Sequence, residues 1–268
     1  MSRPWIFLCP SSRGIGHALT RHLLRTTTLP ILATARPASD TRAVKAALLH
    51  DLDLPDADTR LEIVPLDVTD EATVRSAAEH ASALFPRETH HLHLAFALPG
   101  ILHPEKAPAQ VDYHAALETY KVNALGPLLL MKYFEGFLPR KATDMATGDR
   151  DGIPTHAVWA NMSARVGSIS DNKLGGWYSY RSSKAAVNSL TKSLDVQLRS
   201  RSGDKAVAMA YHPGTVKTDL SRAFWGSVAN GSLFAVDDAA ARMARVVLGA
   251  GLNMRGRVWD YKGNEVMP

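Results

Sequence analysis

Tyr180 and Lys184, in the stretch "YSYRSSKAAVN", stand four residues apart at the start of a predicted helix. That spacing puts a phenol and an ammonium on one helical face. A free tyrosine has a pKa of about 10, so acid–base work at neutral pH needs positive charge beside the phenolate. Lys184 is one source of such charge. The same spacing also occurs by chance on solvated helices, so the pair takes its meaning from its surroundings.

A second stretch, "CPSSRGIG", runs from Cys9 to Gly16 after an apolar run and opens a helix. Ser11, Ser12, Arg13, Gly14, Ile15 and Gly16 read as a phosphate-cradling turn. Gly16 lets the backbone approach a pyrophosphate, and helix-terminal N–H groups and two serine hydroxyls supply hydrogen bonds. The competing reading is an ordinary glycine turn. Pro10 stands where such turns usually carry glycine, but the work facing a ligand falls to Gly14, Gly16 and the helix start, so a working site is expected. The next apolar run ends in Arg36. Arg13 and Arg36 are two guanidiniums able to fork onto a 2′-phosphate, which favours NADP over NAD, whose ribose hydroxyls usually meet an acidic residue. As a bland alternative they are two solvated charges among 31 basic residues.

These residues need elements to hold them. Apolar runs at 4–9, 30–36, 61–68, 92–98, 156–163 and 206–212 read as buried parallel strands, and "GRVWDY" near the end closes the sheet. Amphipathic stretches between them read as helices, the longest over roughly 110–138 and another beginning near Tyr178. The alternation predicts an α/β fold, a doubly wound parallel sheet of about seven strands with right-handed crossovers and helices on both faces. The polar stretch 140–155 breaks the rhythm and reads as a flexible surface loop. In such a sheet a ligand sits at the carboxyl ends of the strands, where "CPSSRGIG" lies.

Together these motifs resemble the short-chain dehydrogenase/reductase family over essentially the whole chain, and within it the branch of C-factor and Sniffer-type carbonyl reductases. The resemblance implies that Asp67 and Val68 contact adenine. It implies that Asn123, in "YKVNALGPL", holds a bent helix and a proton-relay water. Tyr180 becomes the general acid or base, and Lys184 the residue that binds the nicotinamide ribose and lowers the tyrosine pKa. Pro213, Gly214, Val216 and Thr218, in "HPGTVKTDLS", pack on the nicotinamide and hold its carboxamide. It implies a homodimer or homotetramer joined through the helices near 110–138 and 178–200.

The chain departs from the family pattern at Cys9 and Pro10, at "ALPG" (Ala97 to Gly100) after the fourth strand, and at Ala164, where the family commonly has its catalytic serine. Ser163 is the nominated replacement, with Ser168 and Ser170 as other nearby hydroxyls. Phe224 and Trp225 fall where the family's substrate lid lies and read equally as packing residues.

Bulk composition is consistent with this. The chain has 268 residues, 46% hydrophobic and 21% charged, enough for one full-sized domain. Its formal charge of +5 is dispersed, which suits small anionic ligands better than nucleic acid. One cysteine allows no internal disulfide, and no apolar run reaches the roughly 18 residues of a membrane span, so a cytoplasmic protein without a membrane partner is expected. Cys9 reads as a small buried hydrophobe. His90, His91 and His93 lack partners at zinc spacing and read as solvent-facing, so no metal site is expected. Sequons at Asn161 and Asn230 read as accidental. The leading expectation is NADP-dependent transfer of hydride between nicotinamide and the carbonyl or alcohol of a small substrate. The alternatives are imine or iminium reduction, a guided cyclisation, or an NADP sensor without turnover. The presence of Asn123, Tyr180 and Lys184 together argues against the last.

Overall fold

In the computed structural model, which describes residues 1–145, 152–229 and 231–268, the apolar runs lie side by side in one sheet. The strands are β1 (Arg3–Cys9), β2 (Ile31–Ala35), β3 (Leu61–Pro65), β4 (His90–Ala97), β5 (Ala157–Met162), β6 (Ala206–His212), β9 (Val258–Asp260) and β10 (Glu265–Val266). Their order is β10-β9-β6-β5-β4-β1-β2-β3, parallel throughout except for β10. The eighth strand, β10, goes beyond the seven expected. A separate pair joins β7 (Thr215–Val216) to β8 (Leu233–Phe234).

The run of strands is buried because both faces are covered. Along β1, Ile6 and Leu8 enter one core with Leu19 and Leu23 of α1 (Gly14–Thr26) and Met243 of α8 (Val236–Leu248). Trp5, Phe7 and Cys9 enter the opposite core with Val74 of α4 (Glu71–Leu84), Phe134 of α6 (Gly126–Phe134) and Leu194 of α7 (Tyr178–Ser202). Alternation along one strand thus feeds two cores. The rings of Phe7 and Phe134 stack 4.0 Å apart and anchor α6 to the sheet.

The long helical region near 110–138 is broken. It consists of α5 (Tyr113–Tyr120), a π-helical turn over Lys121–Leu125 and then α6. The third strand stops at Pro65, earlier than the expected 68, so Asp67 and Val68 leave the sheet. The minor helices are α2 (Thr41–Leu49) and α3 (Ala57–Arg60). Of the expected loop 140–155, residues 146–151 lie outside the described residues.

Two readings of histidine change. His91 and His93 are buried, not solvent-facing: their rings hydrogen-bond one another at 3.1 Å, and His91 also meets the Ser2 hydroxyl. Strand β4 is central, between β1 and β5, so its start is covered. No cluster of metal-ligating side chains occurs among the described residues. Asn161 is fully buried, bonded to Thr191 and Trp159, whereas Asn230 lies outside the described residues. No described helix is long and apolar enough to cross a membrane.

Candidate active site

The chain crosses over from β1 to β2 on one side while β4 lies on its other side, and a cleft of about 490 Å3 opens at this switch point. Its lining includes Pro10, Ser12 and Arg13 after β1, Arg36 after β2, Asp67 to Thr69 after β3 and Pro99 to Ile101 after β4, with α5 and the π turn forming a further wall.

The first turn is built differently from the expectation in two respects. Ser11 is buried, and its hydroxyl donates to the Leu8 carbonyl at 3.2 Å, so it braces the turn instead of facing the cleft. Gly16 is tight against protein: a Cβ there would meet the Pro10 carbonyl oxygen at 1.8 Å. Its missing side chain therefore makes room for the turn itself. The peptide between Cys9 and Pro10 is cis. Ile15 packs its side chain on the core with Ile6 and Leu8. Gly14 has φ +58° and faces the Thr218 methyl, which brings the first turn to the segment after β6. Burial pushes the Cys9 thiol up to about 12, which leaves it inert.

Arg13 and Arg36 are both exposed at the edge of the cleft. Arg13 also lies 3.7 Å from the Asp219 carboxylate, an exposed pair of the kind that contributes only about 0–1 kcal/mol. Asp67 turns its carboxylate onto the N–H and hydroxyl of Thr69, and Val68 packs against Gly126 at the end of the π turn.

Tyr180 and Lys184 occupy the first two turns of α7, both buried. The Lys184 ammonium donates to the Met162 carbonyl at 2.9 Å and lies 5.8 Å from the Tyr180 ring. No described residue hydrogen-bonds the Tyr180 hydroxyl. Burial pushes the phenol up to about 12 and pulls the ammonium down to about 8. Gly167, in the short 3-10 turn after β5, lets the loop close on Lys184, because a Cβ there would meet the lysine backbone at 2.8 Å.

Asn123 sits in the π turn, fully buried. Its carboxamide accepts from Ile101 N–H at 2.8 Å and donates to the Ile101 carbonyl at 2.9 Å and the Ser183 hydroxyl at 3.1 Å. It thus ties the loop after β4 to α7. Ile101 and Ser183 were not legible from the sequence, since only the fold brings them to Asn123.

Ser163 is buried at the end of β5, and its hydroxyl donates to the Asn188 carboxamide at 2.6 Å, with no hydrogen bond to Tyr180. Asn188 stands one turn past Lys184, so this hydroxyl is directed along α7 away from the phenol. Ser168 is buried and bonded within its own loop, to Ser170 and Asp171. Pro213 and Gly214 follow β6, Val216 is buried in β7, and Thr218 caps the 3-10 helix Asp219–Ser227. Phe224 packs on Trp177 with the rings tilted by 55° and their centroids 4.8 Å apart, and Trp177 stands edge-on to Tyr180 at 6.1 Å. Trp225 donates to the Ser221 hydroxyl.

Known proteins resemble this chain in sequence and fold. Residues 11–248 match the family described as enoyl-(acyl carrier protein) reductase. The chain belongs to the short-chain dehydrogenase/reductase family. Among relatives of this dehydrogenase/reductase, the C-signal protein of Myxococcus xanthus is 33% identical over 160 residues, which is 60% of this chain and 82% of that one. An NADPH-bound carbonyl reductase from chicken fatty liver has 27% identity, with a TM-score of 0.80 and full coverage of both chains. The carbonyl reductase Sniffer of D. melanogaster superposes equally well, with a TM-score of 0.80 and full coverage of both chains at 22% identity, which speaks to the fold.

The residues present fit a dinucleotide. No side chain caps the start of α1, no acidic residue stands in its first turn, and two guanidiniums flank the cleft below it. This is a donor set for phosphate.

Proposed function

We propose that the protein is an NADPH-dependent carbonyl reductase of small organic substrates, also able to run the reverse oxidation of an alcohol. The observation that carries the reading is the buried Tyr180–Lys184 pair, whose ammonium lies just behind Gly100 in the wall of a cleft edged by Arg13 and Arg36. Arg13 and Arg36 would hold the 2′-phosphate, Ser12, Gly14 and Ile15 the pyrophosphate through the start of α1, Asp67 and Val68 the adenine, and Pro213, Gly214, Val216 and Thr218 the nicotinamide end. NADPH, when bound, supplies a hydride to the carbonyl carbon. Tyr180 donates its hydroxyl proton to the carbonyl oxygen as the C=O π bond breaks. Lys184 holds a positive charge beside the phenolate that forms, and Asn123 keeps the loop at Ile101 against α7. The high phenol pKa keeps Tyr180 protonated through the neutral range, which supports the reductive direction.

The test is a panel of aliphatic and aromatic aldehydes and ketones with NADPH and NADH side by side. Carbonyl-dependent oxidation of NADPH, well ahead of NADH, is expected. Cofactor binding without turnover on any carbonyl would overturn the reading.

A second reading rests on the serine. With Ser163 engaged by Asn188 and alanine at 164, the hydroxyl that polarises a carbonyl is missing from the place the family keeps it. An iminium carbon accepts hydride without a proton on oxygen, so cyclic imines belong in the same panel. Imine turnover that survives Tyr180→Phe would favour this reading.

Self-association through α5 and α6 also belongs to the proposal, since Tyr113, Leu125 and Leu128 expose apolar side chains there. Light scattering would test it.

A further inference from the structure

Glu105 lies in the loop between β4 and α5, in "ILHPEKAPAQ", and nothing about it in the sequence marks it as functional. Yet it is 4% exposed, unusual for a glutamate unless its carboxylate is fully engaged. Both carboxylate oxygens go to one residue: Oε2 accepts from the Ser179 N–H at 3.2 Å and Oε1 from the Ser179 hydroxyl. The Glu105 carbonyl oxygen accepts from the Trp177 N–H at 2.5 Å.

This contact replaces a helix cap. The first N–H groups of any helix lack partners inside it, and a Ser, Thr, Asp or Asn just before the helix usually serves them. Trp177 holds that position before α7, has no side-chain cap bond and sits at φ +52°, a left-handed conformation that is costly for a bulky residue. The cap comes instead from a carboxylate 74 residues away in sequence. A negative group at a helix N-terminus is also favoured by the helix dipole.

The loop carrying Glu105 grips α7 twice. Asn123 links Ile101 of this loop to Ser183, and Glu105 links it to Ser179. Ser179 and Ser183 are one turn apart, and each immediately precedes one of the reactive pair, Tyr180 and Lys184. Each residue turns a helix by about 100°, so holding the 179/183 row sets the direction of the 180/184 row. The same loop lines the cleft at Pro99 to Ile101. One segment therefore bounds the ligand and orients the acid.

We infer that Glu105 is a positioning residue for Tyr180, acting through Ser179 and Trp177. The inference rests on Tyr180 as the proton donor of the proposed reaction.

The test compares full-length Glu105→Ala, Glu105→Gln, Ser179→Ala and the Glu105→Ala/Ser179→Ala double variant, with Tyr180→Phe in parallel. For Glu105→Ala, kcat falls about ten- to a hundredfold, as for a displaced catalytic group, while the KM for NADPH stays within about threefold. Amide hydrogen exchange speeds up at 177–181 and stays slow at 187–200. The double variant is no worse than Glu105→Ala, the non-additivity expected of one shared contact. Glu105→Gln keeps an acceptor oxygen and restores most of both kcat and protection, which also covers the case in which the alanine variant fails to fold. The proposal is overturned by unchanged kcat in Glu105→Ala, whatever the exchange shows. It is equally overturned by losses that add between the two sites, or by exchange that rises along all of α7 together with loss of NADPH binding. Full turnover by Tyr180→Phe would instead refute the acid role of the tyrosine, and local exchange at 177–181 would still report whether Glu105 holds the helix start.

Discussion

Lys184 stands one helical turn beyond Tyr180 with its ammonium 5.8 Å from the tyrosine ring, and both side chains are buried. Burial disfavours the charged form of each, so the phenol is pushed up to about 12 and the ammonium pulled down to about 8. The phenol therefore keeps its proton across the neutral range, and the cation beside it is the group that titrates there. Reductive kcat should be level from pH 6 to about 7.5 and fall on a limb near pH 8 as Lys184 loses its charge. A pH–rate profile with saturating NADPH checks this, and in Lys184→Met that limb should vanish along with most of the rate.

The same residue ties stability to pH. An unfolded lysine keeps its proton up to 10.5, whereas the folded site releases it at about 8. Between these values the unfolded chain binds more protons, so the Lys184 contribution rises with pH across that window and is lost as pH falls through 8. Tyr180 acts oppositely: the folded state keeps a proton that the unfolded state gives up at 10, so its contribution falls from pH 10 upward. Urea melts of the protein and of Lys184→Met at pH 7, 8.5 and 10 should show the wild-type stability gaining on the variant at each step.

Arg36 should decide the choice of cofactor. Replacing it by glutamate removes a charge-assisted contact worth about 1.5–3 kcal/mol and adds repulsion. The KM for NADPH then rises about tenfold or more while that for NADH is unchanged or lower. Steady-state kinetics with both cofactors reads this, and an equal change for both would remove Arg36 from the phosphate site.

Gly16→Ala sets a Cβ against the Pro10 carbonyl, a backbone atom that cannot step aside. Overpacking of this kind costs about 1–3 kcal/mol. Thermal denaturation should show a lower Tm, and NADPH fluorescence titration should show weakened binding from the displaced turn.

The serine position is tested by a pair of substitutions. Ser163→Ala breaks the bond to Asn188 and should lower stability by about 1 kcal/mol while leaving kcat within about threefold. Ala164→Ser restores a hydroxyl at the family's usual place and should raise turnover of ketones. A collapse of kcat in Ser163→Ala would return the polarising role to that residue.

Much of this molecule was legible in the chain. Strands buried on both faces read as unbroken apolar runs, and their alternation with amphipathic stretches allowed one kind of sheet. The spacing of Tyr180 and Lys184 is a local pattern that survives folding unchanged, whereas the cluster around Gly14 keeps its place after β1 but turns Ser11 and Gly16 toward the protein. Other parts were not legible. Helix α8 went unread although Asp237 and Asp238 open it and alanine, methionine and valine follow at helical spacing. Strand β10 is two residues long and exists only because β9 offers an edge to pair with. His91 and His93 looked solvent-facing because nothing in "THHLHLAF" says that their strand lies between two others.

From the chain alone come the candidate residues for the chemistry and the order of elements that delivers them to one edge of the sheet, because periods of two and of 3.6 residues are written in neighbouring positions. Tertiary structure alone decided where those residues point. Ser11 turned into its own loop, Ser163 turned to Asn188, and Asn123 and Glu105 closed on α7 across 60 and 74 residues of chain. A hydrogen bond between distant segments follows from which surfaces pack together, and no local spacing records it.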